Sequence, residues 1–328
     1  MDKIDFVIIW VNGNDPEWRK EFKKYKVEQV DEDTSEIRFR DWDNLRYWFR
    51  GVEKYAPWVN KIHFVTCGHY PDWLNLDHPK LNFVKHSNYI PTEFLPTFNS
   101  HTIELNLHRI KGLSEQFVYF NDDTFLANYT NKTDFFRNGL PCDMAVSNVI
   151  SPEGISHILL NNLELLSRHF SKRLVLKENF FKWFNLKYGF YNFRNFLLLP
   201  WPELTGFFVP HQPQSFLKVT FTELWKYEEK ELRITCKSRF RNLSNVNQYL
   251  FRWWQLLKGQ FKPCNIAEKS LYLTITDDTL VKVVKEIKST KKTLLCINDG
   301  DLSDFVNAKK MIIQAFEDKL PNRSTFEI

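Results

Sequence analysis

The stretch QFVYFNDDTFL, residues 116–126, sets two carboxylates, Asp122 and Asp123, directly behind a short apolar run. The run reads as a buried strand, and Asn121-Asp122-Asp123 as the turn at its carboxyl end. Asn-Asp pairs are common turn formers after strands. Adjacent carboxylates also repel, and each shifts the other's pKa unless a proton or a cation separates them. A divalent cation such as Mg²⁺ or Mn²⁺, completed by phosphate and water, is the second reading of the same residues.

Working outward, the same pattern recurs. IDFVIIWV is a short buried strand ended by NGNDP, and a charged helix over 16–30 opens on Pro16. DWDNLRYWFRGVEKYAPWV places Leu45, Trp48, Phe49, Val52 and Tyr55 on one helical face and stops at Pro57. KIHFVT and LNFVKH are two more strands, and SHTIELNLHRI is a helix with Ser100 as its cap. Alternating strands and helices through residue 126 predict an α/β fold with a largely parallel sheet covered on both faces. In such sheets ligands gather beyond the carboxyl ends of strands, where NGND and NDD both lie. From about 150 to 260 the chain is helical, aromatic and basic, with few strand signals. SLYLTIT, DDTLVKVVKEIK, KTLLCIN and a helix over 301–319 then return to α/β.

Composition narrows the chemistry. With 10 glycines in 328 residues there is no G-x-x-x-x-G-K phosphate cradle. A net charge of +5 without a Lys/Arg block favours anionic partners but argues against nucleic acid. Five scattered cysteines with no C-x-x-C predict free thiols in a reducing cytosol, so the sequons at Asn128, Asn131, Asn242 and Asn322 are incidental. The first apolar run is too short for a signal peptide, and no stretch reaches the ~18 apolar residues of a membrane span. A cytoplasmic protein is the expectation.

Four further clusters carry two readings each. Asn12, Gly13, Asn14 and Asp15 form either a plain turn or, with the helix behind them, a phosphate cradle. His211, between Pro210 and Pro213, is a surface residue or a general base. Arg239 and Arg241 in KSRFRN lie on a solvated face or clamp a diphosphate from one side. Asn298-Asp299 repeats the strand-then-acid pattern as a second wall of the site, or only as a turn. Between Glu178 and Trp201, aromatics crowd around Lys182, Lys187 and Arg194. That segment reads as a core helix pair turning at Gly189, or as an interfacial patch on anionic lipid.

Taken together, IDFVIIWVNGNDPEW, the long block from RFRDWDNLRYWFRG to QFVYFNDDTFL, HQPQSFLKVTFTEL…SRFRN, and KTLLCINDG with a closing LPNRSTFE resemble the Stealth family. That family comprises bacterial capsular and surface polysaccharide phosphotransferases and the catalytic core of the lysosomal-enzyme N-acetylglucosamine-1-phosphotransferase. The blocks cover about half the chain, in family order. Many bacterial members have Asp where this chain has Asn12, so a carboxylate role there is not carried over.

The resemblance implies a Rossmann-like, glycosyltransferase-A-like sheet with a helical aromatic-rich insertion. Residues 1–150 would form the nucleotide-sugar and metal-binding part, 151–265 a mainly helical acceptor and catalytic part, and 266–328 an α/β part completing the same catalytic domain. It implies transfer of sugar-1-phosphate from a nucleotide sugar, a UDP-linked hexose or N-acetylhexosamine, to a hydroxyl of a lipid-linked or polymeric glycan. Asp122 and Asp123 would bind Mg²⁺ or Mn²⁺. Arg239 and Arg241 would neutralise developing charge, with His211 as base. Asn12, Gly13, Asn14, Asp15, Arg40, Asn99, His101 and Glu104 would hold the donor, with Asn298 and Asp299 as a further wall. Peripheral association with the inner membrane face would bring the enzyme to a lipid-linked acceptor. Two other readings stand beside this one: a metal-dependent glycosyltransferase releasing the nucleoside diphosphate, and a non-catalytic carbohydrate-binding protein.

Overall fold

The computed structural model describes residues 3–26, 32–33 and 39–328. Four parallel strands form the main sheet: β1 (Ile4–Ile9), β2 (Ile62–Thr66), β3 (Leu81–Lys85) and β4 (Gln116–Phe120). They lie in the order β3-β2-β1-β4. The helices between them are α1 (Pro16–Tyr25), α2 (Leu45–Tyr55) and α3 (Ser100–Leu105). The α/β expectation therefore holds, with the inner strands β1 and β4 reading as mostly apolar runs because both faces are covered.

The pleat shows how. Phe6 and Ile8 of β1 and Phe120 of β4 enter one core with Trp48 and Val52 of α2. Val7, Phe117 and Tyr119, at the alternate positions, enter the opposite core. The first core is completed by Ile312 and Phe316 of the last helix, α11 (Phe305–Lys319), and the second by Phe221, Leu250 and Trp253.

Several details differ from the sequence expectation. Helix α1 ends at Tyr25, and its expected continuation to 30 lies outside the described residues. The single helix expected over 100–110 is α3 followed by a 3-10 turn, Leu107–Arg109, and its cap is Asn99, whose side chain accepts from His101 N–H. The aromatic segment is helical as expected: α4 (Ser156–Ser167), α5 (Lys172–Trp183) and α6 (Asn192–Leu198), with Gly189 at φ 53° in the turn between the last two. It does not form a core pair. Trp183 and Tyr188 are buried, while Phe180, Phe181, Phe190, Phe193 and Phe196 face solvent.

Several short strands went unread in the sequence, and two of them shape the site. β6 (Gln214–Leu217) adds antiparallel to β4, and β5 (Thr124–Leu126) leaves the main sheet to join a second one. After β6 come α7 (Lys218–Tyr227), α8 (Glu229–Lys237) and α9 (Tyr249–Leu257). The last part is β7 (Ser270–Ile275), α10 (Leu280–Ser289), β8 (Leu294–Asp299) and α11. β7 and β8 are parallel, and β8 pairs antiparallel with β5. The closing LPNRSTFE is a clasp: Glu327 accepts two bonds from Arg50 of α2, at 2.8 and 3.0 Å, and Arg50 also holds the Leu320 carbonyl. Among the described residues, no helix is long and apolar enough to cross a membrane.

Candidate active site

The strand order places a crevice. From β1 the chain steps outward through β2 to β3, then returns to set β4 on β1's other side. Connections on the two sides of β1 therefore diverge, and the loops beyond the carboxyl ends of β1 and β4 open a gap. Ile8 of β1 pairs with Phe120 of β4, so Asn12–Asp15 and Asn121–Asp123 leave the sheet side by side.

The Asn121–Asp123 turn is tied down on three sides. Asn121 Oδ1 accepts from the Tyr119 hydroxyl at 2.7 Å. The Asn121 carbonyl accepts from the Thr124 hydroxyl at 2.7 Å. The Asp123 carbonyl accepts from Ile297 N–H of β8 at 2.9 Å. Antiparallel β6 explains His211: Gln214 pairs with Tyr119, so the loop just before β6 lies against the turn just after β4. His211 Nε2 sits 3.1 Å from Asp123 Oδ2. On the far side Cys296 of β8, paired with Thr124, brings its Sγ to 3.5 Å from the same oxygen.

The electrostatics match a site short of positive charge. Enclosure by the surrounding protein, then repulsion from Asp123 and Asp41, pushes Asp122 up to about 7. The side chain still opens to the cleft, so solvent screening tempers that effect. Burial, with the Asp43 charge adding to it, pushes Asp41 up to about 6, against the pull of the Asp43 N–H at 2.9 Å. Burial raises Glu104 as well, partly offset by the Arg241 guanidinium. Burial works against protonating His211, but the Asp123 hydrogen bond and charge outweigh it and the imidazole is raised above its ordinary value. Burial and the Asp123 charge keep the Cys296 thiol protonated.

A cation fits here. Asp123 Oδ1 is buried with no hydrogen-bond partner among the described residues, while Oδ2 serves His211. An uncompensated carboxylate oxygen beside a second carboxylate suits a hard divalent ion such as Mg²⁺ or Mn²⁺. The ligand atoms of Asp123, His211 and Cys296 also lie within 4.8 Å of one another. That mixed O, N and S set suits Zn²⁺ better than Mg²⁺.

The other residues singled out in the sequence divide into two groups. Those facing the cleft include Asn12, which lines a cavity of about 540 Å³ with Trp10, Asp41, Arg46 and Trp73. Its N–H donates to His69 Nε2 at 2.9 Å, an acceptor kept neutral by burial. Arg241 donates to Ser100 Oγ at 2.8 Å, and its charge reaches Asp122, Glu104 and His211. Asp299 pairs with Arg40 at 3.4 Å, bringing the C-terminal wall onto the first block, and Asn298 bonds the Asp299 carbonyl.

The second group holds the frame. Asp15 caps α1, accepting from Trp18 N–H at 2.7 Å, and Asn14 accepts from Arg19 at 3.0 Å. Gly13 passes so close to Phe39 that a Cβ there would meet its carbonyl oxygen at 1.9 Å. Asn99 is fully buried, its amide donating to Ser238 and Phe240 carbonyls and to Asn245 Oδ1, which fastens α3 to the SRFRN segment. His101 is buried beside it. Glu104 accepts from Tyr119 at 3.3 Å and from Gln248 N–H at 3.2 Å. Arg239 does not share Arg241's side. It donates to the Pro96 carbonyl at 2.7 Å and lies 4.6 Å over the Tyr25 ring, because the chain bends at 239–240 before its short strand begins.

Three contributors went unread. Asp41 adds a third carboxylate, and its D-W-D context before α2 looks only like a helix entry. Cys296 resembles any strand cysteine. Arg252 is fully buried, bonds both oxygens of Asp143 at 2.8 Å, and holds the Phe208 carbonyl three residues before His211. Arg252→Ala is expected to cost about 3–5 kcal/mol, because it leaves the Asp143 charge buried alone. Urea denaturation will show it as a lower midpoint with an unchanged slope, and an unshifted midpoint would count against this anchor.

The chain matches the description "Stealth protein CR1, conserved region 1" over residues 2–26 and "Stealth protein CR2, conserved region 2" over residues 38–142. It is 46% identical to the capsular polysaccharide phosphotransferase WcwK of Streptococcus pneumoniae, covering 100% of this chain and 98% of that one. It is 40% identical to the exopolysaccharide phosphotransferase cps2G of Lactiplantibacillus plantarum, covering 99% and 96%. It is 38% identical to the receptor polysaccharide phosphotransferase WefC of Streptococcus oralis over the whole of both. Against solved structures, the apo-form glycosyltransferase GlyE of S. pneumoniae aligns over 91% of this chain and 74% of its own at 9% identity, with a TM-score of 0.25.

Proposed function

Because this chain belongs to the Stealth family, as a phosphotransferase of capsular and exopolysaccharide synthesis, we propose that it transfers sugar-1-phosphate from a nucleotide sugar to a glycan hydroxyl. The donor is a UDP-linked hexose or N-acetylhexosamine. The acceptor oxygen attacks the β-phosphorus, the bond from that phosphorus to the α-phosphate oxygen breaks, and uridine monophosphate leaves. The product is a phosphodiester. The observation that carries this reading is the convergence of Asp122, Asp123, His211 and Arg241 at one crevice.

Each group has a part in that chemistry. Asp122 and Asp123 Oδ1 would hold Mg²⁺ or Mn²⁺, which supplies charge neutralisation for the diphosphate when bound. Asp123 Oδ2 accepts from His211 Nε2–H and so turns Nδ1 toward the acceptor, where it takes the hydroxyl proton. Arg241 stands where negative charge builds on the non-bridging oxygens, a placement typically worth about 3 kcal/mol per donor. The cavity beside Asn12, walled by Trp10 and Trp73, takes the nucleoside end. We retain the glycosyltransferase-A-like arrangement and the cytoplasmic setting as parts of this proposal. Supporting them are the acidic turn beyond a central strand and five unbonded cysteines.

Incubating the protein with a panel of nucleotide sugars, Mg²⁺ and a glycan acceptor, then identifying the released nucleotide by mass, tests the reading. Release of uridine monophosphate is expected. Uridine diphosphate would make this a glycosyltransferase instead, and binding without turnover would make it a carbohydrate-binding protein.

A further inference from the structure

The segment from Lys172 to Trp201 buries Val175, Trp183 and Tyr188 but turns most of its other apolar side chains outward. Phe181 is 83% exposed, Leu186 96% and Phe190 87%. The rings rest on one another more than on the core. Phe180 meets Phe181 and Phe184 at 5.6 and 4.7 Å between centroids, and Phe184 meets Phe196 at 4.8 Å. Phe190 stacks on Phe193 at 5.8 Å. Soluble monomers rarely leave such a cluster in water unless something covers it.

Charge says what covers it. The segment carries six basic side chains and one acidic, Glu178. Two of the six face inward: Lys172 donates to the carbonyls of Leu198 and Trp201, and Lys182 to that of Gly259, which fastens the hairpin to the body. The other four, Arg173, Lys177, Lys187 and Arg194, are exposed. Apolar rings interleaved with cations match a layer that is apolar below and phosphate-bearing above. The helices here, of 12 and 7 residues, are too short to cross a bilayer of about 30 Å.

We propose that this face docks on an anionic lipid bilayer, with its aromatic side chains in the headgroup layer. The docking rests on the surface alone. Its use to the enzyme rests on the reaction proposed above: Arg194 lies 5.5 Å over the Phe208 ring, Tyr191 packs on that ring at 5.0 Å, and Phe208 is three residues from His211. A lipid-held acceptor would thus reach the side of the crevice that carries the base.

The test is sedimentation of the full chain with vesicles of phosphatidylcholine mixed with phosphatidylglycerol. Binding is expected at low salt, with release in 1 M salt, where the screening length falls to about 3 Å. Lys177→Glu with Lys187→Glu should weaken partitioning by at least about tenfold, each basic group near the surface being worth roughly fivefold. Phe181→Ser with Phe190→Ser should weaken it comparably even at low salt. Both variants should keep the wild-type melting temperature and the wild-type rate on a soluble acceptor, so loss of binding is separable from loss of reaction. No sedimentation at low salt overturns the proposal, as does equal binding to pure phosphatidylcholine. A dimer that the aromatic variant breaks, with no vesicle binding, would assign the face to a second copy of the chain.

Discussion

Asp123→Asn will reduce turnover by about 10³-fold or more while leaving the fold intact. Two losses combine in one atom change. The amide removes negative charge from the oxygen that has no protein partner, and it disturbs the acceptor that holds His211 Nε2–H. Loss of a positioned acid–base group alone typically costs about 10²–10⁴-fold. The backbone anchors survive, since the bond from Ile297 N–H uses the Asp123 carbonyl. Circular dichroism should therefore match wild type. EDTA should silence the wild type, and Mg²⁺ or Mn²⁺ should restore it. Cys296→Ser should not change the Mg²⁺ requirement; a lost response would point to the mixed O, N and S set and Zn²⁺.

Asp122→Asn offers a readout apart from activity. A carboxyl raised to about 7 in the folded chain contributes stability that is fully present below its ordinary unfolded value and is lost as pH rises from there through about 7. Without metal, the neutral amide should therefore melt higher than wild type at neutral and higher pH, and the difference should close as pH falls toward the ordinary carboxylate range. Near-normal turnover of either asparagine variant at saturating Mg²⁺ would sink the metal reading.

The central sheet was legible because strands buried on both faces leave continuous apolar runs, and turn residues mark their ends. β5 and β6 were not, since three or four residues carry no periodicity and their pairing is decided by partners far along the chain. The site shows the same limit. Asp122-Asp123 stands out locally, yet His211 is 88 residues from Asp123, and Cys296 is 173. Arg239 and Arg241 look equivalent in SRFRN, and only a bend between them sends one to Tyr25 and the other to the acids. The aromatic segment stayed open between two readings for a different reason. Its apolar side chains are spread around α5 without a preferred face, so periodicity could not separate core from surface.

His211→Ala is expected to lower kcat on the order of 10²–10⁴-fold while changing the donor KM little, because a base acts in the transition state. The pH profile makes the test specific. A base works deprotonated, and Asp123 raises this imidazole, so wild-type activity should fall as pH drops through a value above the ordinary histidine one. His211→Ala should lose that acid limb along with the rate. Stability runs the other way. A histidine raised in the folded chain contributes stability fully present below its unfolded pKa, and lost as pH rises through the folded value. The pH at which the base becomes active is thus where its ion pair with Asp123 ceases to hold the loop. Above that pH the neutral imidazole keeps its Nε2–H bond to Asp123, and the Phe208 carbonyl held by buried Arg252 still anchors the loop. The melting-temperature gap between wild type and His211→Ala should accordingly be wider at low pH than at high pH. An unchanged kcat with a raised donor KM would make His211 a binding residue, and an acid limb that survives its removal would assign the titration to Asp122.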